Sequence, residues 1–269
     1  MSRRIHWPTA RSQAKRLFGW TVVLVVVFLA GAVVFLGTPY EPPPESIEAV
    51  EAEDGVTLTS YNGGYVLEPV TVDEPDRTDG LVFYPGARVE PSAYVESLAP
   101  LASEANLTVV VPKMPMNLAV TDYAIARTGL RADAATRAID DHETVENWYV
   151  GGHSMGGAMA CRYARGNAES VDGLLLYASY CDQDISESDL AVLSVAGEAD
   201  TVLTWETYEA NLDNLPVDAT VETLPGVNHT QFGSYRFQRG DDPSGTSYVE
   251  AHQRLNDIVL DWFEGQRHR

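Results

Sequence analysis

Apolar and polar positions divide the chain into two unequal parts. Leu17 to Gly37 (LFGWTVVLVVVFLAGAVVFLG) is a continuous apolar run with no charge and Thr21 as its one polar side chain. As a helix it is about 31 Å long at 1.5 Å per residue, the thickness of a bilayer core. Trp20 and Tyr40 stand near its ends, where amphipathic rings favour the interface. The run is longer than the apolar stretch of a cleaved signal peptide, and no small-x-small site follows it. Arg3-Arg4 stands too far upstream to read as a twin-arginine export signal. The pattern therefore predicts an uncleaved anchor at 17–37. The segment 38–46, with Glu41-Pro42-Pro43-Pro44-Glu45, predicts a stiff, extended spacer with little capacity to pack.

Residues 47–269 predict one further domain. Asp54-Gly55 and Asn62-Gly63-Gly64 are turn sequences among short β-rich runs. From Leu81 the pattern alternates. Short apolar strands are predicted at Leu81–Tyr84, Leu107–Val111, Trp148–Val150, Leu174–Tyr177, Ala191–Ala196 and Ala219–Leu224. Helices are predicted at 91–103, at 120–142 in two pieces broken near Gly129, at 155–165, at 204–214 and at 247–264. Leu255, Ile258, Val259 and Trp262 form the apolar stripe of the last helix. Apolar strands alternating with helices imply an α/β fold: a mostly parallel sheet with helices on both faces, and antiparallel strands from the opening hairpins at one edge.

Charge changes the picture at two points. The 269 residues carry 18 Lys and Arg against 39 Asp and Glu, a formal charge of −21. This excludes a broad basic face for nucleic acid. Arg3, Arg4, Arg11, Lys15 and Arg16 all precede the apolar run, and no acid lies in residues 1–40. A basic segment 1–16 holds the N-terminus in the cytoplasm and places the large domain outside the cell membrane. Lys15 and Lys113 are the only lysines. Acid excess with arginine favoured over lysine reads as a halophilic composition, since at molar salt the Debye length is roughly 3 Å and self-repulsion costs little.

The chemistry centres on Gly152-His153-Ser154-Met155-Gly156, a G-x-S-x-G between a predicted strand and a predicted helix. The turn demands little bulk two residues either side of the serine, and the helix that follows directs its N–H groups at a developing anion. A serine needs a base beside it. Of six histidines, His6 precedes the anchor, His268 is terminal, His142 lies in an acidic run, His252 is inside the last helix, and His153 adjoins the serine, under the turn. His229 remains, in the loop after strand 219–224. The acid that holds its ring is Asp200, after strand 191–196, with Glu198, Asp182 and Asp184 as alternatives. Backbone N–H groups of Met155 and Ala87 are the expected oxyanion donors, with Gly86 and Arg88 as alternatives to Ala87. Met114, Met116, Tyr84, Met155, Phe232 and Tyr235 are candidates for an apolar pocket, and Arg88 for an ion pair or an anionic substrate. Two cysteines and scattered histidines lack ligand spacing, so neither a metal nor an organic cofactor is expected. An external domain permits a disulfide, but Cys161 and Cys181 are expected as buried free thiols.

The segments FYPGARVEPSAY (83–94), VVVPKMPMNLAV (109–120), GGHSMGG (151–157), LLLYASY (174–180), VAGEAD (195–200) and GVNHTQFGSY (226–235) together resemble the α/β-hydrolases, and more narrowly the alpha/beta hydrolase fold-5 branch near the dienelactone-hydrolase-like enzymes. The resemblance implies an eight-stranded sheet and a Ser–Asp–His triad. It implies no defined substrate. Ala87 stands where such families often carry a second glycine, and no long insertion is present to build a large lid.

The residues thus lead to the expectation of a membrane-anchored serine hydrolase acting on a small molecule with an ester-like acyl bond. A peptidase, thioesterase or lactonase on the same triad is the alternative, or a non-catalytic hydrolase-fold binding module. The halophilic reading predicts a melting temperature that rises between dilute buffer and molar salt; a flat or falling response contradicts it.

Overall fold

The computed structural model describes residues 10–70 and 79–267. Arg3, Arg4, His6 and His268 lie outside the described residues. The chain divides into two units, residues 1–38 and Pro39–Arg269. The first contains α1 (Ala10–Gly37), which includes the whole apolar run. Most of its described apolar side chains are exposed, Leu17, Trp20 and Phe28 among them. Among the described residues no helix is long and apolar enough to cross a membrane. The anchor expectation therefore stands on the residue pattern alone.

The second unit is built on a sheet of eight strands: β1 (Val56–Tyr61), β2 (Gly64–Pro69), β3 (Asp79–Tyr84), β4 (Leu107–Val111), β5 (Asn147–His153), β6 (Gly173–Tyr177), β7 (Ala191–Gly197) and β8 (Thr220–Leu224). Their spatial order is β1-β2-β4-β3-β5-β6-β7-β8. β1 and β2 pair antiparallel, as do β2 and β4, and every other pairing is parallel. Asn62-Gly63, both at positive φ (47° and 83°), makes the tight turn of the β1–β2 hairpin, as a two-residue loop requires.

The central strands are buried along nearly their whole length because both faces are covered, and successive side chains go to opposite sides. Leu81 and Phe83 of β3, Tyr149 of β5 and Leu175 and Tyr177 of β6 face one core, packed by α3 (Val95–Ser103) and the last helix, Tyr248–Arg267. Val82, Tyr84, Val150, Leu174 and Leu176 face the other. That core is closed by α4 (Ala119–Arg127), α5 (Ala134–Asp141) and α6 (Met155–Gly166). Gly129, at φ 72°, lies in the break between α4 and α5. α7 (Trp205–Ala210) continues into a short 3-10 turn at Leu212–Asn214, and α8 is the last helix.

Two expectations need correction. The segment after α1 is not an unpacked spacer throughout. Tyr40 bridges to Val89, accepting from Glu90 N–H at 2.9 Å and donating its own N–H to Arg88 O at 2.6 Å. A helix, α2 (Glu45–Glu51), follows directly after Pro44. Its first-turn Glu45 and Glu48 suit the positive end of the helix dipole. Cys161 and Cys181 are not free thiols but a disulfide with Cα atoms 5.4 Å apart. The bond joins α6 to the loop after β6, two segments that neighbouring parallel strands bring side by side.

Cross-linking residues 20 apart in sequence is worth about 3 kcal/mol of chain entropy. Replacing both cysteines by alanine should lower the melting temperature by several degrees, and unfolded wild-type protein should show no free thiol until reduced. Two titratable thiols in the unreduced protein would refute the bond.

Candidate active site

The C-terminal ends of β3, β5, β6, β7 and β8 converge on one edge of the sheet. Ser154 sits between β5 and α6 with φ 54° and ψ −125°, a conformation that a serine adopts only under constraint. The constraint is visible on both sides of the residue. Its N–H donates to Tyr177 O at 2.9 Å, and its carbonyl accepts from Ser179 Oγ at 2.7 Å. Both partners lie at the end of β6. The corner is also crowded. A Cβ on Gly156 would come within 2.1 Å of Tyr84 O, and one on Gly152 within 2.6 Å of the Gly156 backbone. Only glycine fits at either position.

His229 opens a 3-10 turn after β8. Its Nδ1 lies 2.6 Å from Asp200 Oδ2, and the two side chains are 1% and 0% exposed. The other carboxylate oxygen of Asp200 accepts the N–H groups of Val202 and Leu203, each at 2.8 Å. These bonds hold the carboxylate in one orientation. The Asp241 carboxylate grips the His229 backbone, accepting its N–H at 3.2 Å and that of Thr230 at 2.9 Å. With Nδ1–H donated to Asp200, Nε2 is left as the basic nitrogen. It is buried and has no hydrogen-bond partner among the described residues. His229 and Ser154 line the same cavity, of about 360 Å³, with Met155, Ala158, Tyr180 and Leu203 also in its wall.

The other candidate acids have partners other than His229. Asp182 forms a bidentate ion pair with Arg162 on the wall of that cavity, Asp184 bonds Ser186, and Glu198 accepts the Gly226 N–H. Of the six residues expected to line a pocket, Met155 alone borders this cavity. Met114, Phe232 and Tyr235 are core, Met116 is exposed, and Tyr84 lines an adjoining cavity of about 230 Å³. Arg88 places its guanidinium over the Tyr40 ring, 5.2 Å from the centroid. Met155 opens α6, so its N–H has no partner within the helix. In the loop after β3, Gly86 N–H donates to Tyr94 Oη and Arg88 N–H to Asn117 O. Ala87 N–H makes no hydrogen bond among the described residues, which separates it from both alternatives. Among the described residues no three His, Cys, Asp or Glu side chains are grouped to hold a metal ion.

His153 is fully buried. Its ring centroid lies 4.4 Å from that of His229, and Phe232 stacks on it. Burial holds its pKa well below the usual histidine range, and the neighbouring His229 adds to this. His252, in α8, is lowered for the same reason, although Gly233 O accepts from its ring and Glu96 opposes the shift. Tyr94, Ser179 and Asp241 carried no signal in the sequence. Each acts through a hydrogen bond to a residue distant in the chain or through backbone groups alone.

An eight-stranded sheet of this order, with a strained serine at the central strand-to-helix corner and a buried Asp–His pair from the loops after the next strands, defines the α/β-hydrolase class. A family model described as the alpha/beta hydrolase family matches residues 80–253, and the chain belongs to that family. A predicted CIB-like hydrolase from Thermoplasma acidophilum has a similar solved structure, with a TM-score of 0.52 and 18% identity over 78% of this chain and 100% of that chain. That likeness is one of fold. No curated protein matches this chain.

The two depressed histidines set a pH dependence. Their folded pKa values lie below the ordinary 6.5, so below about pH 6.5 the unfolded chain binds more protons than the folded one. Their contribution to stability is full above that pH and is lost as pH falls toward the folded values. The melting temperature should drop between pH 7 and 5, and His252→Gln, which keeps a donor for Gly233 O without titrating, should flatten the slope. An unchanged slope in that variant would assign the loss to other groups.

Proposed function

We propose that the protein is a serine hydrolase that cleaves an ester-like acyl bond in a small molecule through an acyl-enzyme on Ser154. The observation that carries this reading is the buried Asp200–His229 pair, whose histidine keeps Nε2 without a partner among the described residues and lines the same cavity as Ser154. His229 takes the Ser154 hydroxyl proton as Oγ attacks the carbonyl carbon, then returns it to the leaving alcohol as the carbon–oxygen bond breaks. Asp200 holds the imidazole and stabilises the imidazolium. The N–H groups of Met155 and Ala87 receive the negative charge that collects on the carbonyl oxygen. Water, deprotonated by the same histidine, then releases the acid and frees the serine.

The same proposal places the domain outside the cell, anchored by residues 17–37. The charge-free run and the basic residues before it support the anchor. The Cys161–Cys181 disulfide favours an oxidising compartment.

Hydrolysis of short p-nitrophenyl esters by the full chain in detergent tests the chemistry. Ser154→Ala and His229→Gln should each lower kcat by at least a thousandfold, and Asp200→Asn by a comparable order, with melting temperatures retained. Undiminished turnover in folded Ser154→Ala protein would refute the assignment.

A further inference from the structure

The oxyanion loop is held from its buried side by an arrangement that the mechanism above does not use. Tyr94 and His153 are both fully buried. Gly86 N–H donates to Tyr94 Oη at 2.9 Å, and the same oxygen lies 2.9 Å from His153 Nδ1. An amide can only donate, so the tyrosine oxygen is its acceptor. The hydroxyl proton has no other acceptor among the described residues, so the tautomer that satisfies it has His153 Nδ1 accepting it. Burial pushes the phenol pKa upward, so the hydroxyl keeps that proton. Gly86 packs closely enough against this pair that a Cβ there would lie 2.9 Å from His153 Nδ1 and 3.1 Å from Tyr94 Oη.

The outer side of the loop is also tied. Val89 N–H closes a turn onto Gly86 O at 3.1 Å, Arg88 N–H bonds Asn117 O at 2.7 Å, and Tyr40 bonds both Arg88 O and Glu90 N–H. Between these fixed points stands Ala87, the one residue of the Gly86–Arg88 segment whose N–H is uncommitted among the described residues. His153 directly precedes Ser154. The hydroxyl of Tyr94 therefore joins the loop bearing one oxyanion donor to the residue next to the serine, across a separation of 59 residues.

We propose that Tyr94 is a positioning residue, which sets the Ala87 N–H against the reacting carbonyl by bridging Gly86 N–H and His153 Nδ1. This rests on the serine hydrolase reading. The bridge acts on a group needed in the transition state, so its loss falls on kcat and spares substrate binding.

The test compares Tyr94→Phe, His153→Leu and His153→Asn in the full chain, with p-nitrophenyl acetate as substrate and amide hydrogen exchange at residues 85–90 as an independent readout. Tyr94→Phe should lower kcat roughly tenfold to a hundredfold, leave KM within about twofold, leave the apparent pKa of the pH profile in place, and speed exchange at Gly86. His153→Leu should do the same. His153→Asn, whose amide oxygen can accept the phenol proton, should recover part of the loss. The double variant Tyr94→Phe/His153→Leu should be no slower than the worse single one. Wild-type kcat in Tyr94→Phe, a defect confined to KM, or additive losses in the double variant would overturn the bridge alone. Absence of Ser154-dependent turnover in the wild type would overturn the hydrolase reading and this assignment with it.

Discussion

A serine forced into a left-handed backbone conformation at the end of the central strand is the constraint on which the rest of the site depends. The strain at Ser154 persists because its two flanking peptide groups are captured by β6, through Tyr177 O and Ser179 Oγ. The carbonyl of Tyr84 also leaves no room for a side chain at Gly156. The corner is thus over-determined by three adjacent parallel strands, and the sheet order that brings β3, β5 and β6 together is a functional requirement as much as a packing solution. The helix dipole and the first N–H of α6 come with the same turn.

The Asp–His half of the site is organised differently. Asp200 and His229 are nearly inaccessible to solvent, and their polar atoms are satisfied one by one: two backbone N–H groups on one carboxylate oxygen, the imidazole on the other. The single unsatisfied atom is His229 Nε2. Leaving a buried acceptor without a partner costs about 1–3 kcal/mol, and that cost falls on the atom to which the proposed mechanism assigns the proton transfer. Asp241, beneath the turn that carries His229, fixes the backbone so that the ring cannot relax away from this position.

Much of this was legible in the residues, for identifiable reasons. Strands buried on both faces are runs of Val, Leu and Ile, so β4 and β6 could be read directly. The G-x-S-x-G pentapeptide has meaning because the strand before it and the helix after it are both legible. Asp200 and His229 follow from their place after such strands. What escaped was set by distance in the chain. Nothing near Cys161 announces that parallel pairing of β5 with β6 brings Cys181 beside it. Tyr94 reads as one more apolar helix residue until β3 and β5 are adjacent and its hydroxyl meets His153. The helix α2 was hidden by the prolines that precede it and by its glutamates, and the role of Tyr40 by its place in a segment that looks like a spacer. The methionines that suggested a pocket are equally good core residues, and the fold uses Met114 in that way.

The proposed hydrolase stands or falls with activation of the Ser154 hydroxyl by His229. Exposure of the full chain to a fluorophosphonate, followed by peptide mapping in a mass spectrometer, addresses that claim most directly. A single phosphonyl adduct on Ser154 is expected, with a labelling rate that collapses in His229→Gln protein of unchanged melting temperature. Failure of folded wild-type protein to take up the probe at Ser154, or a labelling rate indifferent to His229, would contradict it.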